Sequence, residues 1–223
     1  MIKQDIISCV LEPGQQIIQA QLSQDYGIGL TPVREALQRL AQQGLVQSVP
    51  RVGYVVSPIT FSDLQEIFEL RLTLESAALR LAILRASDKQ LAEIARMANF
   101  TYTYHDKASY KTFLARNADF HTSIAIAGGN RRLADAVARV LDELTRVFHL
   151  GLDLRDSAEE KLNDHLRLTE ALCDRDSDRA QRLIQEEIER SQKRVYDALR
   201  GHMGGRVALT KVGERTGFDD STR

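Results

Sequence analysis

The N-terminal fold of this chain follows from residues 31–44, which read TPVREALQRLAQQG. Thr31 is a residue type that caps helices, and Pro32 suits a first helical position because its missing N–H would have no partner there. Apolar residues recur with helical spacing at Val33, Ala36, Leu37, Leu40 and Ala41. Gly44 is a typical helix terminator. The stretch therefore predicts a short helix with one buried face.

Turn and strand signals surround this helix on both sides. Two short helices are predicted before it, at residues 2–11 and 19–26, and Gly27-Ile28-Gly29 ends the second. After it, LVQSV and YVVSP flank a turn at residues 50–53, a pattern typical of a β-hairpin. Two helices at a tight turn followed by a hairpin predict a winged helix-turn-helix. In such a domain the third helix enters the major groove of DNA and the wing follows the backbone.

Four motifs in this region, LEPGQQI, LSQDYGI, TPVREALQRLAQQGLV and VGYVV, resemble the DNA-binding domain of the GntR family of bacterial transcription regulators. The resemblance covers essentially all of residues 1–57. It implies DNA contacts from the third helix and the wing, and the candidates are Thr31, Arg34, Arg39, Arg51 and Gly53. The family usually has Ser-Arg immediately before the TPVR motif, whereas this chain has Gly29-Leu30, so one common DNA anchor is absent.

The charge of this region is low for a DNA-binding domain. Residues 1–60 contain four basic residues (Lys3, Arg34, Arg39, Arg51) and four acidic ones (Asp5, Glu12, Asp25, Glu35). A basic excess is usual, because neutralising phosphates supplies much of the affinity. The alternative is a winged helix that serves only in dimerisation or packing. We favour DNA binding, because the motif determines how the helix fits the DNA groove, whereas the net charge affects only how tightly it binds.

The remainder of the chain has a different character. All four prolines lie at or before position 58, and the amphipathic segments that follow are broken at residues 86–87, 128–130, 151 and 174–176. Long proline-free amphipathic segments predict an antiparallel all-helical bundle, so the fold class is mainly α. The predicted organisation is a DNA-binding domain at 1–57, a linker at 58–62, a helical effector-binding domain at 63–200 and a flexible tail at 201–223.

Composition narrows the class of protein further. The 223 residues carry a net charge of -1, and 43% of them are hydrophobic, which is ordinary for a globular protein. No apolar stretch approaches the roughly 18 residues that span a bilayer. Asp5 and Glu12 interrupt the N-terminal segment where a signal peptide would need a continuous apolar core. Cys9 and Cys173 are far apart and fit no metal-ligand spacing. These features predict a cytoplasmic protein with no membrane partner.

Several polar residues fall on the apolar faces of the predicted helices. Arg71 is one, and Asn117 and His121 are two more that lie one turn apart on a single face. His165 and Glu187 occupy the apolar faces of two further helices. Amide, imidazole and carboxylate groups of this kind suit zinc, nickel, manganese or iron(II). The alternative is a buried hydrogen-bond network without a metal.

These positions carry a second resemblance. The stretches FELRLTLESAAL, NADFHTSIAIAGGN, DHLRLTEALCDRD and RAQRLIQEEIERS are similar to the FCD domain, the all-helical effector domain of the FadR subgroup, over about residues 63–196. That family commonly holds a metal with one Asp and three His. The resemblance places this set at Asn117, His121, His165 and Glu187, with Asn replacing the Asp and Glu replacing the third His. The exchanges leave the formal ligand charge at −1 and shift the preference somewhat toward manganese or iron(II). Some members of the subgroup bind their ligand without a metal.

Arg71 needs an anionic partner, because a guanidinium aimed at a core cannot lose its proton. Glu75, one turn on, is one candidate, and the carboxylate of a ligand is the other. We predict a ligand-responsive transcription regulator that binds double-stranded operator DNA as a homodimer and responds to a small carboxylate at Arg71. A metal-dependent helical-bundle enzyme acting on a small carboxylate and a pure dimerisation module are the alternatives. An enzyme is disfavoured, because the chain contains no HExxH motif and no second acid or base beside the cluster.

Overall fold

The computed structural model describes residues 1–152 and 156–203, and helices account for most of them. The elements in chain order are α1 (Ile2–Ile7), β1 (Gln16–Ile17), α2 (Gln19–Asp25), α3 (Leu30–Gln42), β2 (Val46–Val49), β3 (Gly53–Val56), α4 (Phe61–Arg85), α5 (Asp88–Met97), α6 (Lys107–Ala127), α7 (Arg131–Leu152), α8 (Ala158–Cys173) and α9 (Ser177–Met203). The predicted mainly α chain, with a winged helix-turn-helix followed by a helical bundle, is confirmed. The predicted tail at 201–223 lies outside the described residues from 204 onward.

The wing is a three-stranded antiparallel sheet in the order β1-β3-β2. The predicted hairpin forms its larger part, with Val49 opposite Gly53 and Val46 opposite Val56. The strand β1, which was not predicted, adds Gln16 opposite Val55 on the other side of β3. It is two residues long, which is too short for alternation of apolar and polar residues to appear in a sequence.

The start of α3 differs from the prediction. The helix begins at Leu30, and the extended residue before it, Gly29, is the N-cap, so Thr31 is not the cap. Pro32 is therefore the third helical residue rather than the first. It is tolerated there because the first four N–H groups of any helix have no partner within the helix. The buried face consists of Val33, Leu37 and Leu40, as predicted.

Side-chain caps fix the ends of the bundle helices. Thr60 accepts a hydrogen bond from the backbone N–H of Asp63, whose side chain accepts one from the N–H of Thr60 in return. This capping box starts α4 at Phe61, inside the segment predicted as a linker. Asn130, predicted to cap the next helix, accepts from the N–H of Leu133 at 3.2 Å.

The bundle core lies between the four long helices α4, α6, α7 and α9, with α8 packed against α9 and α5. Its largest fully buried apolar side chains include Phe68, Tyr110, Phe113, Phe120 and Leu144. Gly128 ends α6 where it passes close to α4, and a β-carbon there would lie 3.0 Å from that of Leu81. In the described part of the chain no helix combines the length and the hydrophobicity needed to cross a membrane.

The two domains touch where α1 packs against α7. The buried side chain of Arg146, on α7, donates a hydrogen bond to the backbone carbonyl of Ser57, which directly follows β3. The thiol of Cys9 donates to the carbonyl of Arg146 at 3.3 Å. Burial raises the pKa of Cys9 to about 11, despite the opposing charge of Arg146. These contacts join the DNA-binding domain to helix α7 of the bundle.

The two cysteines are expected to react at different rates. The thiol of Cys9 lies in the domain contact and is short of thiolate at neutral pH, whereas Cys173 is exposed. We expect iodoacetamide to alkylate Cys173 roughly tenfold faster than Cys9 in the native protein, because the thiolate is the reactive form. Peptide mass spectrometry measures both rates in one sample, and unfolding in urea should make them similar. Equal rates in the native protein would contradict the domain contact.

Candidate functional site

Four bundle helices bring the predicted inward-facing polar residues into one buried cluster. Arg71 comes from α4, Asn117 and His121 from α6, His165 from α8 and Glu187 from α9. Each is at most 4% exposed. The helical periodicity thus located all five residues correctly on buried faces. Their roles remain predictions.

The carboxylate of Glu187 lies at the centre of this cluster. Its Oε1 atom is 3.3 Å from Nε2 of His121, 3.6 Å from Nη2 of Arg71, and 3.8 Å from both Nε2 of His165 and Nζ of Lys161. Burial would raise its pKa, but the charge and contact of His121 outweigh burial and hold the pKa well below its usual range. Neither oxygen has a hydrogen-bond partner among the described residues. The carboxylate is thus surrounded by cationic and imidazole nitrogens without being hydrogen-bonded to any of them.

Glu75 connects Arg71 to His121. Its Oε1 atom accepts a hydrogen bond from Nε of Arg71 at 2.6 Å, and its Oε2 atom lies 2.7 Å from Nδ1 of His121. The second contact has the distance of a hydrogen bond but not its full geometry. Burial alone would lower the pKa of His121, but Glu75 and Glu187 together raise it to about 9. Glu75 therefore orients the ring so that Nε2 faces Glu187.

His165 is in a different state from His121. It is fully buried, and its ring lies 4.8 Å from the rings of both Phe100 and Phe120. Burial in these apolar surroundings lowers its pKa to about 3, so the imidazole is neutral at pH 7. A neutral imidazole is the form that binds a metal. Neither ring nitrogen has a hydrogen-bond partner in the described part of the chain.

The cluster has the donor set of a metal site. One ligand atom from each of His121, His165 and Glu187 lies within 4.8 Å of the other two. All three residues have buried nitrogen or oxygen atoms without hydrogen-bond partners among the described residues, and so does Asn117 at Oδ1. The contact from Glu75 to His121 matches the carboxylate–histidine arrangement that orients metal-ligating imidazoles. The residues present therefore fit a divalent metal held by two imidazoles and a carboxylate.

A small cavity of about 20 Å³ adjoins the cluster between α6, α7, α8 and α9. Its lining includes the polar residues Asn117, Lys161, Ser191 and Arg194 and the apolar residues Phe113, Leu114, Phe148, Leu152 and Val195. This volume holds roughly one water molecule, so a larger ligand requires the walls to move. Arg71 does not line the cavity. Its Cζ atom lies 5.7 Å from the centre of the ring of Phe148, which does line the cavity.

The predicted DNA-contacting residues of α3 are exposed, but they do not form one group. Thr31 and Arg34 lie in the first turns of the helix, and Arg39 lies near its end. At about 100° per residue, Arg34 and Arg39 fall on opposite flanks of the exposed face. The Nε atom of Arg34 donates a hydrogen bond to Oε1 of Gln19, the first residue of α2, at 3.0 Å. Gln19 thus orients Arg34, a role that the sequence analysis did not identify.

The wing carries the remaining two candidates on its exposed turn. Arg51 has φ of 65° and Gly53 has φ of 100°, and both residues are exposed. A positive φ at Gly53 lets the chain turn directly into β3 without strain. Gln16 of β1 donates to the carbonyl of Val52 at 2.9 Å and holds the turn from the side. The wing therefore presents Arg51 on an ordered tip.

Lys161 bears directly on the cluster but was not predicted from the sequence. It lies four positions before His165, and residues four apart share a helix face, so the signal was present. Glu75 was predicted as a possible partner of Arg71, and the structure adds its contact with His121. Ser191, four positions after Glu187, is buried beside it.

The fold and the site together define a DNA-binding regulator with a separate helical effector-binding domain. Comparison with known proteins agrees: residues 1–56 match the family described as bacterial regulatory proteins, gntR family, and residues 66–190 match the FCD domain. The chain therefore belongs to the GntR family of bacterial transcription regulators and carries an FCD domain. The predicted class, a regulator rather than an enzyme, is confirmed by these matches.

Individual relatives are regulators as well. The chain is 28% identical to the HTH-type transcriptional repressor GlaR of Escherichia coli, over 84% of this chain and 89% of that protein. It is 27% identical to the HTH-type transcriptional regulator YdhC of Bacillus subtilis, over 82% of each chain. Among solved structures, E. coli McbR/YncC matches with a TM-score of 0.73 at 22% identity, covering 89% of this chain and 94% of that one. The last match shows a shared fold.

Removing the central carboxylate should destabilise the metal-free protein strongly. Glu187→Ala leaves Arg71 and His121 buried with one carboxylate between them instead of two, and we expect a loss of about 3–5 kcal/mol. The neighbouring Glu186→Ala is the control: Glu186 is 48% exposed and pairs only with Arg190 among the described residues, at 3.5 Å. The Glu186→Ala variant should lose no more than about 0.5 kcal/mol of unfolding free energy. Urea unfolding in the presence of a chelator measures both, and equal losses would contradict the central role of Glu187.

Proposed function

We propose that this regulator binds operator DNA in the cytoplasm as a homodimer at an inverted repeat, and that a small carboxylate bound in the FCD domain changes its affinity. The observation that carries the proposal is the joining of an exposed recognition helix to a bundle in which a buried charge cluster adjoins a small cavity lined in part by Lys161 and Arg194. One winged helix reads only a half-site, so a two-fold symmetric dimer doubles the sequence that is read. Thr31, Arg34, Arg39, Arg51 and Gly53 are the proposed DNA contacts.

Arg71 is the proposed anchor of the effector carboxylate. Its Nε atom is occupied by Glu75, whereas neither Nη atom has a hydrogen-bond partner in the described part of the chain. Two parallel N–H groups of a guanidinium match a carboxylate in geometry and charge. The competing account is that the pair with Glu75 is a structural bridge and nothing more.

The proposed metal ligands are Asn117, His121, His165 and Glu187. When bound, zinc, nickel, manganese or iron would offer a coordination position to an effector oxygen. The unpartnered buried donor atoms of these four residues support the proposal. Burial of such atoms without partners costs free energy, and a metal ion would satisfy them together.

Helix α7 is the proposed connection between the cavity and the DNA-binding domain. It supplies Phe148 and Leu152 to the cavity wall, and Arg146, two residues before Phe148, binds the carbonyl of Ser57 at the end of the wing. A ligand larger than the cavity displaces this wall, and the contact to Ser57 moves with it. Because the relatives GlaR and RspR are named as repressors, we propose that effector binding releases DNA.

The recognition role of Arg34 can be tested by replacement. Arg34→Ala should weaken binding to an operator selected from genomic DNA by about tenfold or more, because it removes a side chain from the groove-facing edge of α3. Arg80→Ala is the matched control, since Arg80 is exposed on α4 in the other domain. Gel-shift titration measures both affinities. Wild-type affinity in Arg34→Ala would remove this residue from recognition.

The metal ligands can be tested by elemental analysis. His121→Ala and His165→Ala should each lower the metal bound per chain and the melting temperature, since each variant removes a ligand and leaves its partners buried. His105→Ala, an exposed histidine outside the cluster, should retain wild-type content. If wild-type protein that is carefully loaded with each of the four metals retains none of them, the buried hydrogen-bond network replaces the metal site.

Arg71→Lys distinguishes the effector anchor from the structural bridge. Lysine keeps the charge but loses the two-pronged geometry, so the variant should respond weakly to effector and keep nearly normal DNA affinity without it. Melting temperature and effector-dependent DNA release are measured on the same preparation. Normal release from a destabilised variant would show that the residue is only structural.

A further inference from the structure

The cavity beside the cluster contains a second group of cationic and hydroxyl side chains. Nζ of Lys161 donates a hydrogen bond to Oγ of Ser191 at 2.7 Å, and Nη2 of Arg194 donates to the same oxygen at 3.0 Å. Lys161, Ser191 and Arg194 are all at least nine-tenths buried and line the cavity. A lysine and an arginine side chain therefore converge on one hydroxyl oxygen at the polar wall of a mostly apolar cavity.

The carboxylates near this group are shared with other cations. Arg194 pairs with Glu160 at 2.8 Å, and Asp164 pairs with Arg190 at 2.6 Å. Among the described residues, the carboxylate within salt-bridge range of Lys161 is that of Glu187, at 3.8 Å, and the same oxygen lies closer to His121 and Arg71.

Lys161 therefore differs from an ordinary structural lysine. Burying an ammonium group costs free energy unless an anion and hydrogen bonds compensate it. If the only role of this side chain were packing, an apolar residue of similar length could contact Phe148 without the cost of burying a charge. The cost is consistent with a ligand anion as the missing partner.

We propose that the effector carries two acidic groups, and that Lys161, with Ser191 and Arg194, binds the second one. This inference rests on the proposed function, in which Arg71 and the metal cluster bind the first. The Cζ atom of Arg71 and the Nζ atom of Lys161 lie 5.7 and 5.9 Å from the centre of the Phe148 ring, and both side chains approach Oε1 of Glu187, at 3.6 and 3.8 Å. The two cationic positions are therefore close enough to bind the two carboxylates of one short dicarboxylate, and displacement of the Phe148 ring makes room for it. Lys161 is then the residue that selects dicarboxylates over monocarboxylates.

The test compares straight-chain dicarboxylates from malonate to adipate with the monocarboxylates of equal carbon number. Dissociation constants are measured by calorimetry on full-length protein, both metal-free and loaded with zinc or manganese. We expect at least one dicarboxylate to bind about tenfold or more tightly than its monocarboxylate, because a second charged group is engaged. Lys161→Met keeps a side chain of similar length without the charge, and should abolish this preference while leaving monocarboxylate binding within about twofold of wild type. Lys193→Met, an exposed residue on α9, should behave as wild type.

The outcomes separate this inference from the proposed function. Equal binding of both series to the wild-type protein, or a full dicarboxylate preference in Lys161→Met, overturns the second acidic group and leaves the carboxylate effector in place. Binding of neither series to any metal form overturns both. Loss of the preference in Lys161→Met supports the assignment, and circular dichroism confirms that the variant is folded.

Discussion

The buried carboxylate of Glu187 is the constraint on which the rest of the bundle depends. It is 1% exposed, and nitrogen atoms from α4, α6 and α8 approach one of its oxygens. A charge at this depth is tolerated only with opposite charges close by, so the helices that supply them are held in register around it. Glu75 adds a second buried carboxylate, which contacts both Arg71 and His121 and so helps to compensate their charges. The apolar core sets how tightly these helices pack, and the charge cluster sets which residues face one another.

This cluster, the cavity and the domain contact form one continuous part of the molecule. Phe148 touches the cations of the cluster and forms a wall of the cavity, and Arg146 on the same helix binds the carbonyl of Ser57 beside the wing. In the proposed function, a ligand that displaces Phe148 would also move the contact of Arg146 with Ser57, because the two residues are two positions apart on α7.

The sequence predicted which side chains are buried much better than it predicted which side chains contact one another across helices. Helical periodicity placed Arg71 and His165 on inward faces correctly, because a repeat of 3.6 residues determines which side of a helix is apolar. It did not reveal that Lys161 approaches Glu187, since that distance depends on how α8 and α9 pack. The predicted start of α3 was wrong by two residues, because both Gly29 and Thr31 are residue types that precede helices and local chemistry does not choose between them. The two-residue strand β1 left no periodic signal at all.

The even balance of charge in the DNA-binding domain has a consequence for how the regulator is distributed in the cell. A chromosome offers on the order of a million or more competing sites of random sequence, and strongly basic proteins spend most of their time on them. With four basic and four acidic residues in its first 60, this domain has little attraction for phosphates alone. A larger fraction of the molecules is then free in solution at any moment. We therefore expect such a regulator to find its operator mainly by three-dimensional diffusion rather than by sliding along DNA.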